Sequence, residues 1–159
     1  MNRYLKILLF GIALLISTVG LCSDSAYIRI RWNGEVDKPY HGFVFYKKDG
    51  YNPEAEDGIY NPFVLQCALS ESQFQALKTL LFSKPQKTDS SDKSNPLFMS
   101  YYIGYFEGSN VVLAAFLNNK SDFIRAYNDT VQFFKGTEYE SLVKQRWKMV
   151  FNRIGIELE

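Results

Sequence analysis

The spacing of apolar residues changes near Ser70, and this change constrains the fold more than any other feature of the sequence. In residues 26–32 apolar and polar side chains alternate, which predicts a half-buried strand. After Ser70 the apolar residues recur every third or fourth position, as on one face of a helix. They are Phe74, Leu77, Leu80 and Leu81. Because Ser70 and Gln73 have the spacing of an N-terminal capping box, we predict a helix over residues 71–82.

The same two spacings predict five strands and three helices along the whole chain. The other predicted strands are residues 42–47, 63–69, 97–106 and 110–117. The other predicted helices open at Ser121 and at a capping box formed by Thr137 and Glu140, and they close at Gly136 and Gly155. The order β-β-β-α-β-β-α-α predicts an α+β fold, in which helices cover one face of an antiparallel sheet. The strands 97–106 and 110–117 are apolar on both faces, which predicts central positions in that sheet.

The first 22 residues have the pattern of a secretory signal peptide. Two basic residues precede residues 7–16, which carry no polar side chain. We predict one α+β domain over residues 23–159, with a mobile loop at 84–96, where large apolar side chains are missing. Two alternatives for the leader are an uncleaved anchor and a lipoprotein leader acylated at Cys22. The protein is therefore predicted to be extracytoplasmic, either periplasmic or secreted, and free or tethered through its leader.

Composition and charge restrict the class of protein. With 47% hydrophobic and 22% charged residues, the chain lies far from the composition of disordered proteins. The formal net charge is +1, and loss of Arg3 and Lys6 with the leader changes it to −1. This balance argues against a nucleic-acid partner. Two cysteines make at most one disulfide, so a disulfide scaffold is excluded and the hydrophobic core must supply the stability.

The candidates for catalysis and metal binding are few. Cys67 and His41 form the one conceivable nucleophile and base pair, but Cys67 lies in an apolar run, which indicates a buried core thiol. One His and two Cys do not make a zinc site, so we predict no metal and no cofactor. The loop at residues 50–58 carries an acidic group that is a candidate binding site but lacks the spacing of a calcium loop. That group is Glu54, Glu56 and Asp57.

Aromatic residues make up 16% of the chain, and they supply the remaining binding candidates. Tyr101 and Tyr105 share one face of a predicted strand. An exposed face of this kind is suited to protein or sugar recognition, whereas the alternative is that both faces of the strand are packed. We therefore predict a non-catalytic module that binds a protein or an envelope component through a sheet face or the two loops. The alternatives are an extracytoplasmic hydrolase using Cys67 and His41, and a periplasmic inhibitor or immunity-type protein.

Overall fold

A computed structural model describes residues 26–32, 42–50, 63–83 and 101–157. These residues form one five-stranded sheet and three helices in the predicted order. The strands are β1 (Ala26–Trp32), β2 (Gly42–Lys47), β3 (Val64–Leu69), β4 (Tyr101–Glu107) and β5 (Asn110–Leu117). The helices are α1 (Glu71–Phe82), α2 (Lys120–Phe133) and α3 (Glu140–Ile154). The predicted α+β class is confirmed.

The sheet is mixed rather than wholly antiparallel. Its strand order is β3-β2-β1-β4-β5, and three of the four neighbouring pairs are antiparallel. The exception is β2 and β3, which run parallel with Phe45 opposite Cys67. Parallel neighbours need a connection of about a dozen residues or more, and residues 48–63 supply that length. The antiparallel arrangement predicted for this pair is wrong because a turn signal at the end of β2 does not reveal where the chain returns.

All three helices pack on one face of the sheet, which we call the helix face. Phe43 on β2 contacts Trp147 of α3, with 5.1 Å between ring centroids. Phe74 of α1 lies 6.4 Å from the ring of Tyr105 on β4. The opposite surface, which we call the far face, carries the alternate side chains of each strand. This two-layer arrangement puts the main core between the helix face and the helices.

The capping signals account for two of the three helix starts. Ser70 caps α1 with the predicted reciprocal bonds to Gln73. Helix α2 starts at Lys120 rather than at Ser121, because the Asn119 side chain accepts a hydrogen bond from the backbone N–H of Asp122 at 3.0 Å.

The predicted capping box of α3 is absent. Helix α3 starts at Glu140 without a side-chain cap at Tyr139. The Thr137 hydroxyl instead donates to the carbonyl of Phe134 at 2.7 Å, and Glu140 accepts from the backbone N–H of Gly136. Both side chains therefore stabilise the turn between α2 and α3. The spacing of Thr137 and Glu140 predicted a capping box and did not indicate this role.

Candidate protein-binding surface

Cys67 is fully buried on the helix face of β3, as the apolar run around it predicts. Its exposed fraction is 0%, and burial raises the pKa of its thiol to about 12. A nucleophilic cysteine needs a lowered pKa and access to substrate, and Cys67 has neither. His41 and Cys22 lie outside the described residues.

We expect Cys67 to be inert toward thiol reagents in the native protein. At pH 8 a thiol with a pKa near 12 is ionised in roughly one molecule in ten thousand, at least a thousandfold less than an exposed cysteine. The measurement is the rate of labelling of a Cys22→Ser variant by a disulfide reagent, before and after addition of denaturant. Fast labelling of the native protein would show that the site opens to solvent and would restore Cys67 as a candidate nucleophile.

Tyr101 and Tyr105 do not form an exposed recognition face. Their exposed fractions are 1% and 5%, because both point to the helix face. The Tyr101 ring meets Phe123 edge-on at 5.3 Å, and the ammonium of Lys78 lies 3.6 Å from the centroid of the Tyr105 ring. The Tyr105 hydroxyl donates to Glu107 at 2.7 Å, and burial raises the pKa values of both tyrosines. The helices thus cover the face that the sequence offered as a binding site.

The acidic loop residues Glu54, Glu56 and Asp57, and the loop at 84–96, lie outside the described residues. Among the residues that the structure describes, no group of three or more His, Cys, Asp or Glu side chains is suited to a metal ion.

Most of the exposed large apolar side chains in the described ranges lie on β5. Val111, Val112, Leu113 and Phe116 have exposed fractions between 40% and 54%. β5 is an edge strand, which overturns the prediction that it is central. Apolar residues on both faces are typical of a central strand, but here only β4 pairs with it in the described sheet. We call these four residues the β5 surface.

Pairing with β4 distributes the β5 surface over both sides of the sheet. Leu113 is opposite Tyr105 and therefore on the helix face, whereas Phe116 is opposite Tyr102 on the far face. The register shifts between the pairs of Leu113 and Val111, so that Val112 is an extra residue at a β-bulge. The β5 surface therefore lies on both sides of the edge that β5 forms in the described sheet, instead of covering one of its faces.

The sequence of β5 lacks the side chains that usually protect an open strand edge. Proteins usually protect an open edge with charged residues, Pro or a covering segment. Residues 108–119 contain no charged residue and no Pro, so the bulge at Val112 is the one such device within these residues.

Besides the β5 surface, the described residues form a cleft of about 430 Å³. It lies between the end of β3, the start of α1 and the turn between α2 and α3. Its lining residues are Lys48, Ala68, Leu69, Ser70, Gln73, Phe133, Phe134, Thr137, Glu138 and Tyr139. The capping box uses the backbone N–H groups of Ser70 and Gln73 at the start of α1, so these two groups cannot bind an anion in the cleft. Its described lining contains neither His nor Cys and offers no nucleophile and base pair.

Comparison with known proteins adds no relative: no family model, curated protein or solved structure matches this chain. None of the helices in the described ranges has the length and hydropathy that a bilayer-spanning segment requires.

Proposed function

We propose that this protein is an exported, non-catalytic module that binds a partner protein through the β5 surface. The observation that carries the proposal is the concentration of four half-exposed, large apolar side chains on one uncharged edge strand. Export rests on the leader pattern of residues 1–22. The burial of Cys67 and its raised pKa count against the hydrolase alternative.

Strand addition is the binding mode that this surface favours. An edge strand directs the N–H and C=O groups of alternate residues away from its neighbour, and an added strand pairs with them. The exposed side chains on both sides of β5 would then contact the side chains of the added strand. The bulge at Val112 limits regular pairing to the part of β5 that follows it, and so Phe116 lies within the pairing segment.

The first test compares capture of partner proteins by the full chain and by charged variants. Leu113→Lys and Phe116→Lys place an ammonium within the pairing segment, where an added strand would exclude water, so we expect each to weaken binding by at least tenfold. The measurement is quantitative mass spectrometry of proteins retained from an envelope extract, including copies of the chain itself.

Leu142 provides a matched control. It is exposed to 46%, as Phe116 is, but it lies on α3. Leu142→Lys should retain the same proteins as the wild type, with the same yield. Equal retention by all of the Lys variants and the wild type would reject the β5 surface as the contact and, with it, the proposed function.

A further inference from the structure

We propose that the cleft at the end of β3 binds a small zwitterion with an apolar body, the chemical class of the apolar amino acids and their dipeptides. β3 and β5 form opposite edges of the described sheet, so the cleft and the β5 surface are separate sites. The proposal therefore adds a small-molecule site to the proposed protein contact and does not depend on it.

The parallel pairing of β2 with β3 explains why a cleft forms at this place. The carboxyl ends of the two strands meet at one end of the sheet, with Lys47 opposite Leu69. Lys48 follows β2, and Ser70 follows β3 and precedes α1. In open sheets with parallel strands, ligands bind outside the carboxyl ends, where the chain leaves the sheet. The volume of about 430 Å³ lies within the ~300–1,000 Å³ of small-molecule sites.

Aromatic rings supply the apolar part of the cleft. Phe133 and Tyr139 are partly buried and line it. The buried Phe134 ring lies edge-on to both, with centroids 4.9 Å from Phe133 and 5.9 Å from Tyr139. Tyr139 also forms a hydrogen bond with the backbone of Ala68 on β3. Because these contacts already hold the rings, covering an apolar ligand does not require the wall to be ordered first.

The two charged residues of the described lining come from different walls of the cleft. Lys48 lies at the end of β2, whereas Glu138 lies on the turn between α2 and α3. Both are exposed, and neither has an ion-pair partner among the described residues. A ligand with a carboxylate and an ammonium complements both charges, whereas a ligand with one charge is repelled by one of them. The charge pattern therefore favours a zwitterion over a simple anion or cation.

Side chains, rather than the end of α1, hold the carboxylate of the ligand. The side-chain oxygen of Gln73 accepts from the backbone N–H of Ser70 at 3.0 Å, which leaves the NH₂ group of the same amide as a donor. With the ammonium of Lys48, this gives the wall formed by the strand ends and α1 two kinds of donor. The carboxylate of Glu138, on the other wall, accepts from the ammonium of the ligand.

Titration of the isotope-labelled full chain with L-phenylalanine, followed by NMR, tests the proposal. We expect saturable shifts with a dissociation constant of about 1 mM or below, largest at the backbone amides of Ser70, Gln73 and Thr137. Phenylpropionate lacks the ammonium and phenethylamine lacks the carboxylate. Each should bind at least tenfold more weakly, because one charge-assisted hydrogen bond is lost and one like charge remains opposed.

Two charge variants assign the two ends of the ligand. Lys48→Gln should weaken the binding of phenylalanine at least tenfold without weakening that of phenethylamine. Glu138→Gln should weaken the binding of phenylalanine to the same extent without weakening that of phenylpropionate. Lys148→Gln is the matched control, because Lys148 is exposed on α3 and is not part of the described lining, and it should bind as the wild type does.

The absence of saturable shifts up to about 10 mM, with phenylalanine and with the dipeptide alanyl-phenylalanine, overturns the proposal. Equal binding of phenylalanine and its two analogues also overturns it, as does binding that both charge variants leave unchanged. None of these results alters the capture experiment with Leu113→Lys and Phe116→Lys, so the proposed function is tested separately.

Discussion

Replacement of Trp147 by alanine is expected to lower the free energy of unfolding by about 3–5 kcal/mol. Trp147 is fully buried in α3, and it connects the helix layer to the sheet. Its ring lies 5.1 Å from that of Phe43 and 5.5 Å from that of Phe151, centroid to centroid. Alanine leaves a cavity that rigid strands on one side cannot close, and the lost contacts add to the lost burial. Urea unfolding followed by circular dichroism measures the change.

The matched control is Trp147→Phe, which keeps a ring in the same place. The indole N–H of Trp147 donates to the Thr130 hydroxyl at 2.7 Å, and that hydroxyl itself donates to the Ala126 carbonyl at 2.7 Å. When phenylalanine removes the indole, Thr130 keeps its bond to Ala126 and no buried donor is left unpaired. We expect a loss of about 1–2 kcal/mol, clearly below that of Trp147→Ala. Equal losses for the two variants would mean that the hydrogen bond, rather than packing, sets the contribution of this residue.

The elements that depend on local signals were predicted from the sequence. Strands β1 and β2 and helix α1 have the predicted bounds, because alternation, turn residues and the Ser70 capping box are all encoded within a few residues. Helix α3 ends at Gly155, whose positive φ of 72° is the left-handed conformation typical of a helix end.

Properties that depend on distant pairing were not predictable. The parallel pairing of β2 with β3 and the edge position of β5 both follow from where the chain returns after a connection, and local spacing carries no such information. The Tyr101 and Tyr105 face has the same alternation whether helices cover it or water does. The sequence therefore indicated an aromatic strand, but it did not show that the face with Tyr101 and Tyr105 would be covered by helices.

The β5 surface depends on two features. Its lack of charge is visible in the sequence, but the position of β5 at the edge of the described sheet is not. The absence of charge in residues 108–119 is visible in the sequence, where apolar residues on both faces of 110–117 predict a central strand. A run of this kind is ordinary at the centre of a sheet, where both faces are packed. It becomes a candidate binding surface only because β4 pairs with β1 on its other side and leaves β5 at the edge.

Gly104→Val is expected to cost about 2–3 kcal/mol, because the far face of β4 has no room for a side chain there. A Cβ atom at Gly104 would lie 2.5 Å from Cε2 of Phe106 and 3.0 Å from Cε2 of Tyr102. The Phe106 ring cannot easily move away, since it is stacked on Tyr27 with 4.7 Å between centroids and 6° between planes. The guanidinium of Arg29 lies over both rings. Valine is otherwise favoured in strands over glycine, so any loss of stability measures the conflict with these rings.

A double-mutant cycle identifies the Phe106 ring as the cause. In a Phe106→Ala background the shortest contact of the added side chain is removed and only that with Tyr102 remains, so Gly104→Val should lose most of its cost, with a coupling of about 1 kcal/mol or more. Ala114→Val is the control, because Ala114 is directly opposite Gly104 on β5 but is exposed, and we expect it to change stability by less than about 0.5 kcal/mol. If Gly104→Val costs the same in both backgrounds, the Phe106 ring is not the cause, and the contact with Tyr102 at 3.0 Å takes its place.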